Sequence, residues 1–501
     1  MRTAERALVG IGPATAVTLG DALDNAPLSA FHRRAALISG VGFFTDAYDL
    51  FVISTVAAIV STRWHLTTSR TSWVSGSAIL GAFVGAVVFG RLADLVGRKK
   101  IYMLVAAIMI VGALASALAP NFLALTTARF VLGLGIGGDY PVSAVLMSEY
   151  ANRNDRGRLV GLVFSMQALG LVVGPLVALG LLESHVSDGL TWRLLLGLGA
   201  LPAAGVIYLR SKMPESPRFQ AAVRGRAAQA ASELDAFSGG VVRSVAAPVL
   251  VPAPTRAAAG ADLSRPRLYH VLRDRRMLRL LAGTAGSWFV LDYAYYGNTL
   301  SLPVILKSVD PGADLAAKLT WSLAMFVVFA VPGYALAIWW MDRIGHRRLQ
   351  LVGFGVLGAA FFLLAAVPVL TASVGAFIAI FGLSYLFVEF GPNTTTFVLP
   401  SEVFPVSART TGHGISAGVG KLGAFLGVFV VPALETKLGL RPMLAIAAGS
   451  AVLGILLTRL LPEAARRGLE EVSGDNGSTA IIVVDEQTSD EADHRPLVAA
   501  Q

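Results

Sequence analysis

Residues 148–174 read SEYANRNDRGRLVGLVFSMQALGLVVG, and residues 401–427 read SEVFPVSARTTGHGISAGVGKLGAFLG. The two stretches share residues at six positions, at a constant offset of 253. These positions are the pairs Ser148/Ser401, Glu149/Glu402, Arg156/Arg409, Gly161/Gly414, Gly170/Gly423 and Gly174/Gly427. A second, shorter repeat, at an offset of 248, relates Asp94-x-x-Gly97-Arg98 to Asp342-x-x-Gly345-His346. Chance seldom keeps so many positions in register, so the chain is predicted to consist of two homologous halves.

Both stretches lie in an unusually apolar chain. Hydrophobic residues make up 55% of the 501 residues and charged residues only 15%, and the mean hydropathy is +0.66. A water-soluble surface rich in mixed charge is therefore excluded. A helix needs about 20 mostly apolar residues to cross a bilayer, and such stretches predict twelve spans. The predicted spans are 35–60, 72–92, 101–119, 122–147, 158–182, 191–210, 278–306, 317–341, 349–370, 373–399, 411–435 and 441–460.

This pattern predicts an all-α polytopic membrane protein with twelve transmembrane helices in two six-helix, pseudo-symmetric halves. The expected parts are an N-terminal tail (1–34), a first half (35–210), a central loop (211–276), a second half (277–461) and an acidic, disordered tail (462–501). The first part lacks the continuous apolar core of a signal peptide. Basic residues cluster in loops on one side, as in Arg98–Lys100 and Arg153–Arg158. The positive-inside rule then places both termini in the cytoplasm.

Several classes of function are disfavoured by residue usage. The chain contains no cysteine, which rules out disulfides, Cys-ligated zinc and iron-sulfur clusters. It shows no nucleophile-base pair, metal cluster or nucleotide loop, so neither an enzyme, a cofactor nor a metal is expected. The net charge is +9, but Lys and Arg lie between apolar runs and form no isolated basic tail. Membrane lipid is the expected surrounding, and nucleic acid is not an expected partner.

Ionisable residues inside apolar spans are costly and therefore functional candidates. They are Asp46, Asp49, Asp139, Asp292, Glu389 and Lys421. Asp46 and Asp49 are three residues apart, share a helical face and have aromatic neighbours, which suits reversible protonation. A fixed ion pair is the alternative for both carboxylates and for Lys421.

Two further patterns indicate a site between the spans. Trp288, Asp292 and Tyr296 are spaced by four and form one stripe of an indole donor, a carboxylate and a phenol along the seventh span. Four glycines within 133–138 precede Asp139 in the fourth span. They let backbone approach a ligand closely, or serve plain helix packing.

The stretch GRLADLVGRK (residues 90–99) leaves the second span and resembles the gate motif of the major facilitator superfamily. Residues 213–218, MPESPR, also resemble that superfamily. Asp94 is expected to cap a helix N-terminus or to pair with Arg129 or Arg156, holding the inner gate shut. The gating residues implied by the motif and the repeat are Gly90, Asp94, Gly97, Arg98, Glu149, Arg156, Asp342, Glu402 and Arg409.

A narrower resemblance is to the phosphate:proton symporter family. It is carried by GFFTDAYDLF (42–51), GGDYP (137–141), WFVLD (288–292) and FGPNTTT (390–396). The resemblance implies that phosphate is surrounded by Tyr140, Gln167, Trp288, Asp292, Tyr296, Asn393 and Lys421. It implies that Asp46, Asp139 and Asp292 move the proton, with Asp49 as a further candidate. The short, Ala-rich central loop resembles bacterial members, and Glu389 departs from the family, where an uncharged polar residue is more usual.

These features predict a monomeric plasma-membrane transporter that imports inorganic phosphate with protons by alternating access. One alternative is a proton-coupled carrier of the same fold for a small organic or aromatic acid, or for a sugar. The other is a membrane receptor that senses phosphate and signals through its tail.

Overall fold

The computed structural model of the chain describes residues 14–184, 186–226, 228–230, 249–251, 274–300, 302–312, 314–474 and 479–485. Within these residues, eleven helices are long and apolar enough to cross a membrane. They are Ala30–Arg63, Thr68–Val96, Arg98–Ala117, Phe122–Tyr150, Arg156–Glu183, Asp188–Lys212, Ala316–Ile344, His346–Ala366, Val374–Val403, Val406–Leu438 and Leu440–Thr458.

A further helix, Arg275–Leu300, lies between the sixth and seventh of these. Its 26 residues rise about 39 Å at about 1.5 Å per residue, which is enough for a bilayer core of about 30 Å. Its hydropathy is low because it carries the stripe of Trp288, Asp292 and Tyr296, all of which are buried. We count it as the seventh span. The predicted all-α membrane fold is confirmed, and the seventh span completes the predicted twelve.

Several spans consist of two or more helical segments, because the pattern of backbone hydrogen bonds changes within them. The fifth consists of Arg156–Ser165 and Gln167–Glu183, the sixth of Asp188–Leu198 and Ala200–Lys212. The eighth consists of Leu315–Met325, a π turn at Phe326–Ala330 and Val331–Ile344. The tenth consists of Val374–Val388, a π turn at Glu389–Asn393, Thr394–Val398 and Pro400–Val403. The eleventh begins with a 3₁₀ turn at Val406–Ala408, followed by Arg409–Leu438. Shorter helices are Leu19–Asn25, Pro217–Ala222, Leu302–Val309, Pro368–Thr371 and Leu469–Ser473.

The π turn in the tenth span has a local cause. Pro392 lacks a backbone N–H, and Gly391 takes a non-helical conformation with φ −116° and ψ −106°. The hydrogen-bond ladder therefore skips a residue at this point. The widened turn contains Glu389 and Asn393, both of which are buried.

A three-stranded antiparallel sheet joins the tails to the central segment. Its strands are β1 (Ala14–Thr18), β2 (Val249–Val251) and β3 (Thr479–Asp485), in the order β1-β3-β2. All three segments therefore meet at one end of the bundle, which we call the terminal face; the other end is the opposite face.

The prediction that residues 462–501 are disordered is wrong for the described part of that tail. Residues 480–484 read AIIVV within β3, an apolar run that suits a strand. In Leu469–Ser473, Val472 packs in a cluster with Leu281, Phe404 and Leu461 of the bundle. Part of this acidic tail therefore packs against the bundle through apolar side chains such as Val472.

The sequence repeat is a repeat in space. Ser148 Oγ donates a 2.9 Å hydrogen bond to the carbonyl oxygen of Ser401, so two equivalent positions meet where the pseudo-twofold axis passes. Asp94 accepts from the backbone N–H of Thr411 at 2.7 Å. Asp342 accepts from that of Arg158, also at 2.7 Å. Each half therefore caps the first turn of a helix in the other half.

The glycines of the fourth span serve helix packing. A Cβ at Gly133 would lie 1.9 Å from Ala78 O, and one at Gly137 would lie 2.0 Å from Ala82 O. The second and fourth spans therefore touch backbone to backbone, as small residues allow in membranes. The alternative that these glycines let backbone approach a ligand is wrong in this conformation.

Gly137→Ala should destabilise the protein by about 1–3 kcal/mol, because its methyl group overlaps backbone that cannot move independently. Gly205→Ala is the matched control, since a Cβ there meets nothing within 4 Å. The measurement is the melting temperature in detergent. It should fall by several degrees for Gly137→Ala and stay unchanged for Gly205→Ala; equal values for the two variants would contradict the packing account.

Candidate functional site

The seven residues predicted to surround a ligand lie in and around one buried region between the halves. They are Tyr140, Gln167, Trp288, Asp292, Tyr296, Asn393 and Lys421. None of these side chains belongs to a residue more than 4% exposed. The fourth and fifth spans supply the first two, and the seventh, tenth and eleventh spans supply the others. In this conformation the region is closed to both faces.

Lys421 forms the centre of this region. Its Nζ lies 2.8 Å from the Tyr296 hydroxyl, to which it donates, and 3.3 Å from Asp292 Oδ2. It also lies 4.6 Å from the ring centroid of Tyr140 in the other half, a distance typical of a cation–π contact. Asp292 Oδ1 makes no hydrogen bond with the described residues. A cation and an accepting carboxylate oxygen thus lie side by side, with phenols around them.

A chain of hydrogen bonds crosses from one half to the other. The Tyr140 hydroxyl donates to Asp46 Oδ2 at 2.5 Å, and Gln167 Nε2 donates to the Tyr140 oxygen at 2.9 Å. The Tyr334 hydroxyl donates to Gln167 Oε1 at 3.3 Å, and Asn393 Nδ2 donates to the Tyr334 oxygen at 3.0 Å. Proton candidate and ligand candidates therefore belong to one network.

The same network continues to a second carboxylate. Asn393 Nδ2 lies 2.6 Å from Glu389 Oε2, to which it donates. Tyr334, which joins Gln167 to Asn393, was not among the predicted site residues. A single tyrosine in an apolar span carries little signal, because such residues usually pack in the core or at the interface.

Two of the predicted proton carriers are held in ion pairs. Asp49 pairs with Arg129 at 3.0 Å, and Asp139 pairs with Arg210 at 2.8 Å. Both arginines are fully buried. Sequence analysis named Arg129 only as a partner of Asp94, and it did not name Arg210. Arg129 lies inside the predicted span 122–147, so the rule that selected the carboxylates would have found it.

Asp292 is also held in an ion pair, with Lys421, but Asp46 and Glu389 differ from these three carboxylates. No ion pair to Asp46 or Glu389 is present within the described residues. One oxygen of each, Asp46 Oδ1 and Glu389 Oε1, also lacks a hydrogen bond there. A buried carboxyl that is held in no direct ion pair is costly to keep charged, so these two groups suit proton exchange. The roles of Asp49 and Asp139 stay predictions for conformations in which their pairs open.

Aromatic rings close the region towards the terminal face. Phe397 stacks on Phe164 with ring centroids 4.6 Å apart, and it meets Phe43 at 4.9 Å and His413 at 5.3 Å. Phe43 and Phe164 belong to the first half, and Phe397 and His413 to the second. Any exit towards the terminal face therefore requires these rings to separate.

Buried charges hold the terminal face shut beyond those rings. Arg98 lies 3.2 Å from Asp94 and 3.3 Å from Glu149, and Arg409 of the other half lies 3.3 Å from the same oxygen of Glu149. The backbone conformation at Gly97, with φ +116°, favours glycine. Of the two alternatives expected for Asp94, a helix cap or a pair with an arginine such as Arg129 or Arg156, the structure does not show the pair with either of these arginines: Arg129 pairs with Asp49, and Arg156 pairs with Asp24 at 2.7 Å. Asp94 instead caps the eleventh span.

The second half repeats this arrangement. His346 lies 2.9 Å from Glu402 and 3.2 Å from Asp342, mirroring Arg98 between Glu149 and Asp94. Gly90 belongs to the contact between the second span and the start of the eleventh, which Asp94 caps, because a Cβ at Gly90 would lie 2.8 Å from Thr410 O. The predicted gating residues are thus brought together, except that Arg156 lies in a separate cluster.

That separate cluster joins both tails to the bundle. Asp24 lies 2.7 Å from Arg156 and 2.6 Å from Arg218, and Arg218 also pairs with Glu470. Burial disfavours the charged form of Glu470, but the Arg218 guanidinium outweighs it and lowers the pKa of this carboxyl to about 2. Glu470 is therefore charged at neutral pH and fastens the C-terminal segment to the terminal face.

Contacts at the opposite face are apolar. Phe51 meets Phe326 with ring centroids 5.5 Å apart, and Trp73 meets Phe429 at 5.5 Å. Both pairs join the two halves. A cavity of about 480 Å³ lies beside them, with Ser61, Thr71 and other small polar residues in its lining.

Nothing in the described part of the chain groups three or more His, Asp or Glu side chains that could hold a metal ion.

Comparison with known proteins gives three results. The sequence model of the sugar (and other) transporter family matches residues 35–475. "Probable inorganic phosphate transporter 1-6" of Arabidopsis thaliana is 36% identical, covering 91% of this chain and 96% of its own length. "Low affinity inorganic phosphate transporter 4" of Medicago truncatula is 35% identical, covering 91% and 94%. These relatives are plant proteins, and the bacterial character of the central loop stays a prediction.

Among solved structures, the proton:xylose symporter XylE bound to 6-bromo-6-deoxy-D-glucose superposes with a TM-score of 0.74. It is 20% identical and covers 89% of this chain and 99% of its own. At this identity the similarity concerns the fold.

Asp94→Ala should loosen the terminal face, because it removes the carboxylate that accepts from Thr410 and Thr411. Losing hydrogen bonds to a charged group costs about 1.5–3 kcal/mol each, which corresponds to at least about tenfold in an opening equilibrium. The chain has no native cysteine, so Ser401→Cys can report on the gate alone.

The measurement is the rate at which this single cysteine reacts with a soluble thiol reagent in detergent. We expect at least about tenfold faster labelling when Asp94→Ala is added. Asp155→Ala is the control, since Asp155 only approaches Arg158 at 4.0 Å on the surface. Equal rates in the two backgrounds would show that the cap does not hold the gate.

Proposed function

The chain belongs to the sugar (and other) transporter family of the major facilitator superfamily, and from that premise we propose that it carries inorganic phosphate together with protons by alternating access. The observation that carries this proposal is the buried Lys421 beside Asp292, ringed by neutral donors. The relatives that share more than a third of its residues over nearly their whole length are named inorganic phosphate transporters, which supports the same cargo.

The chemistry of the region suits an oxyanion that carries a hydroxyl. Lys421 supplies the positive charge, and the phenol of Tyr140 and the amides of Gln167 and Asn393 supply neutral donors. Asp292 Oδ1 is available to accept the hydroxyl of monobasic or dibasic phosphate. Sulfate has no such hydroxyl at neutral pH. Its oxygen and Asp292 Oδ1 would both be acceptors, and their lone pairs would repel one another. Selection against sulfate follows from that repulsion.

Proton coupling follows from the balance of charge. Lys421 is the cation nearest to both Asp292 and the proposed anion, and its ammonium cannot neutralise both. When phosphate takes this charge, Asp292 Oδ2 loses its counter-ion. Taking up a proton on that oxygen restores neutrality, while Oδ1 remains the acceptor for the phosphate hydroxyl. Asp46 is linked to the same anion site through the Tyr140 hydroxyl. Phosphate binding and proton uptake therefore favour one another, and by linkage the reverse also holds.

The orientation follows from the loops. The terminal face carries Lys99, Lys100, Arg153, Arg343 and Arg348 in or beside its connections, and the positive-inside rule assigns such a face to the cytoplasm. In this assignment both termini are cytoplasmic, and the opposite face receives phosphate from outside. We place the protein in the plasma membrane as a monomer.

Asp292→Asn should abolish most proton-driven uptake, because the anion site loses the carboxylate that exchanges the proton. The measurement is radiolabelled phosphate uptake into proteoliposomes with an imposed inward proton gradient. Wild-type uptake should need the gradient and resist excess sulfate, and the variant should lose at least about tenfold, as expected for loss of a buried charge partner.

Asp188→Asn is the matched control for that uptake experiment, since Asp188 is the exposed first residue of the sixth span. It should behave as wild type. Uptake that is blocked by a small carboxylate and indifferent to phosphate would favour an organic-acid carrier. An Asp292→Asn variant with intact uptake and an unchanged proton:phosphate flux ratio would refute the role of Asp292.

Single cysteines can test the orientation. Asn154→Cys at the terminal face should react with a membrane-impermeant thiol reagent only after cells are opened, because that face is assigned to the cytoplasm. Ser187→Cys at the opposite face should react in intact cells. The reversed pattern would overturn the assigned orientation.

A further inference from the structure

Glu389 is a buried carboxyl that the proposed site does not use. It lies in the π turn of the tenth span and is fully buried. Its Oε2 accepts from Asn393 Nδ2 at 2.6 Å, and its Oε1 makes no hydrogen bond with the described residues. A carboxyl at this depth of a membrane protein is costly to maintain, which makes a functional role the first expectation.

The surroundings of Glu389 contain no compensating cation in the described ranges. The groups that face it are the phenols of Tyr295 and Tyr334, the Tyr385 phenol on its own span, and the carboxylate of Asp292. Three of these are neutral and the fourth is an anion. No cation stabilises the charged form of Glu389 there, so it depends on neutral donors, first among them the Asn393 amide at 2.6 Å.

Asn393 is also a proposed ligand of the anion, and this shared donor provides a coupling. The same Nδ2 donates to the Tyr334 oxygen at 3.0 Å and to Glu389 Oε2, so both of its hydrogens are committed. A bound anion that accepts from Nδ2 must take one of them. If it takes the one donated to Glu389, the carboxylate loses its main donor as a second negative charge arrives nearby.

From this geometry we propose that Glu389 is a second proton-carrying residue, which is protonated when phosphate engages Asn393 and deprotonated when phosphate leaves. The step is the addition of one proton from solution to one carboxylate oxygen, with no other bond formed or broken. The inference rests on the proposed function, because it requires an anion at the site.

A small cavity lies beside two of the phenols that face Glu389. It has room for about one water molecule and is lined in part by Tyr295, Tyr385 and Asn298. Asn298 is buried, and neither atom of its amide is hydrogen-bonded within the described residues. Asn298 lies near the C-terminal end of the seventh span, towards the opposite face. The cavity thus connects the phenols beside Glu389 with a polar group nearer that face.

The hydrogen-bond chain also ties the two proton sites together. From Asn393 it runs through Tyr334, Gln167 and Tyr140 to Asp46, and every donor in it points towards one of the two terminal carboxyls. The carboxylates of Asp46 and Glu389 both accept hydrogen bonds from this chain. When either carboxylate is protonated, it no longer requires its hydrogen-bond donor, and that donor can bind the anion instead. Asp46 and Glu389 therefore act on the same set of ligand donors from opposite halves.

The test is the proton:phosphate flux ratio of Glu389→Gln in proteoliposomes. The ratio is measured as the pH gradient that just stops net movement of phosphate down a known phosphate gradient. Gln keeps the shape of the side chain and an oxygen that can accept from Asn393. The variant should carry about one proton fewer per phosphate than wild type, because one titrating carboxyl is gone. Glu435→Gln, on the surface near the end of the eleventh span, should keep the wild-type ratio.

A wild-type ratio in Glu389→Gln would overturn the inference while leaving phosphate transport intact. A wild type that moves no phosphate would overturn the proposed function and this inference with it. If Glu389→Gln binds phosphate but does not turn over, proton uptake on phosphate binding is measured calorimetrically in buffers of different ionisation enthalpy. A value lower than wild type supports the inference, and an equal value refutes it.

Discussion

The organisation of the protein centre depends on one buried ion pair, that between Lys421 and Asp292. The charge of an ammonium group inside a membrane bundle is uncompensated unless an anion faces it. Within the described residues, Asp292, at 3.3 Å, is the single ion-pair partner of Lys421. The Tyr140 ring places the first half against the same charge. In the proposed mechanism, a cation shared between a fixed carboxylate, an aromatic ring and an incoming anion links anion binding and proton exchange to the contact between the halves.

The two faces of the bundle are closed by different forces. Ion pairs such as Arg98 with Glu149 and helix caps such as Asp94 on the eleventh span close the terminal face, whereas ring contacts such as Phe51 with Phe326 close the opposite face. Breaking a buried ion pair leaves charges uncompensated, while separating rings exposes only apolar surface. The opposite face should therefore open more readily in the absence of phosphate, which suits a transporter that loads from outside.

Much of the fold was predictable because its causes are local or repeated. Spans follow from apolar length, and the relation between the halves follows from the 253-residue offset that brings Ser148 to Ser401. Partner choice was less predictable, because it depends on which faces of distant helices meet. From the sequence alone, Asp94 could pair with Arg129 or Arg156 or cap a helix, and only the packing of the second and eleventh spans selects the cap. Tyr334 and Arg210 were missed for the same reason, and the glycines of the fourth span could not be assigned to packing until their neighbours were known.

The most direct test of the central claim is equilibrium binding of phosphate to the purified protein by titration calorimetry, with Lys421→Gln compared with Lys437→Gln on the exposed end of the same helix. The account predicts one phosphate site that excess sulfate does not occupy. Affinity should fall about 100-fold or more in Lys421→Gln, as for loss of one partner of a buried pair, and should be unchanged in Lys437→Gln. Equal phosphate affinity in the two variants would contradict the account.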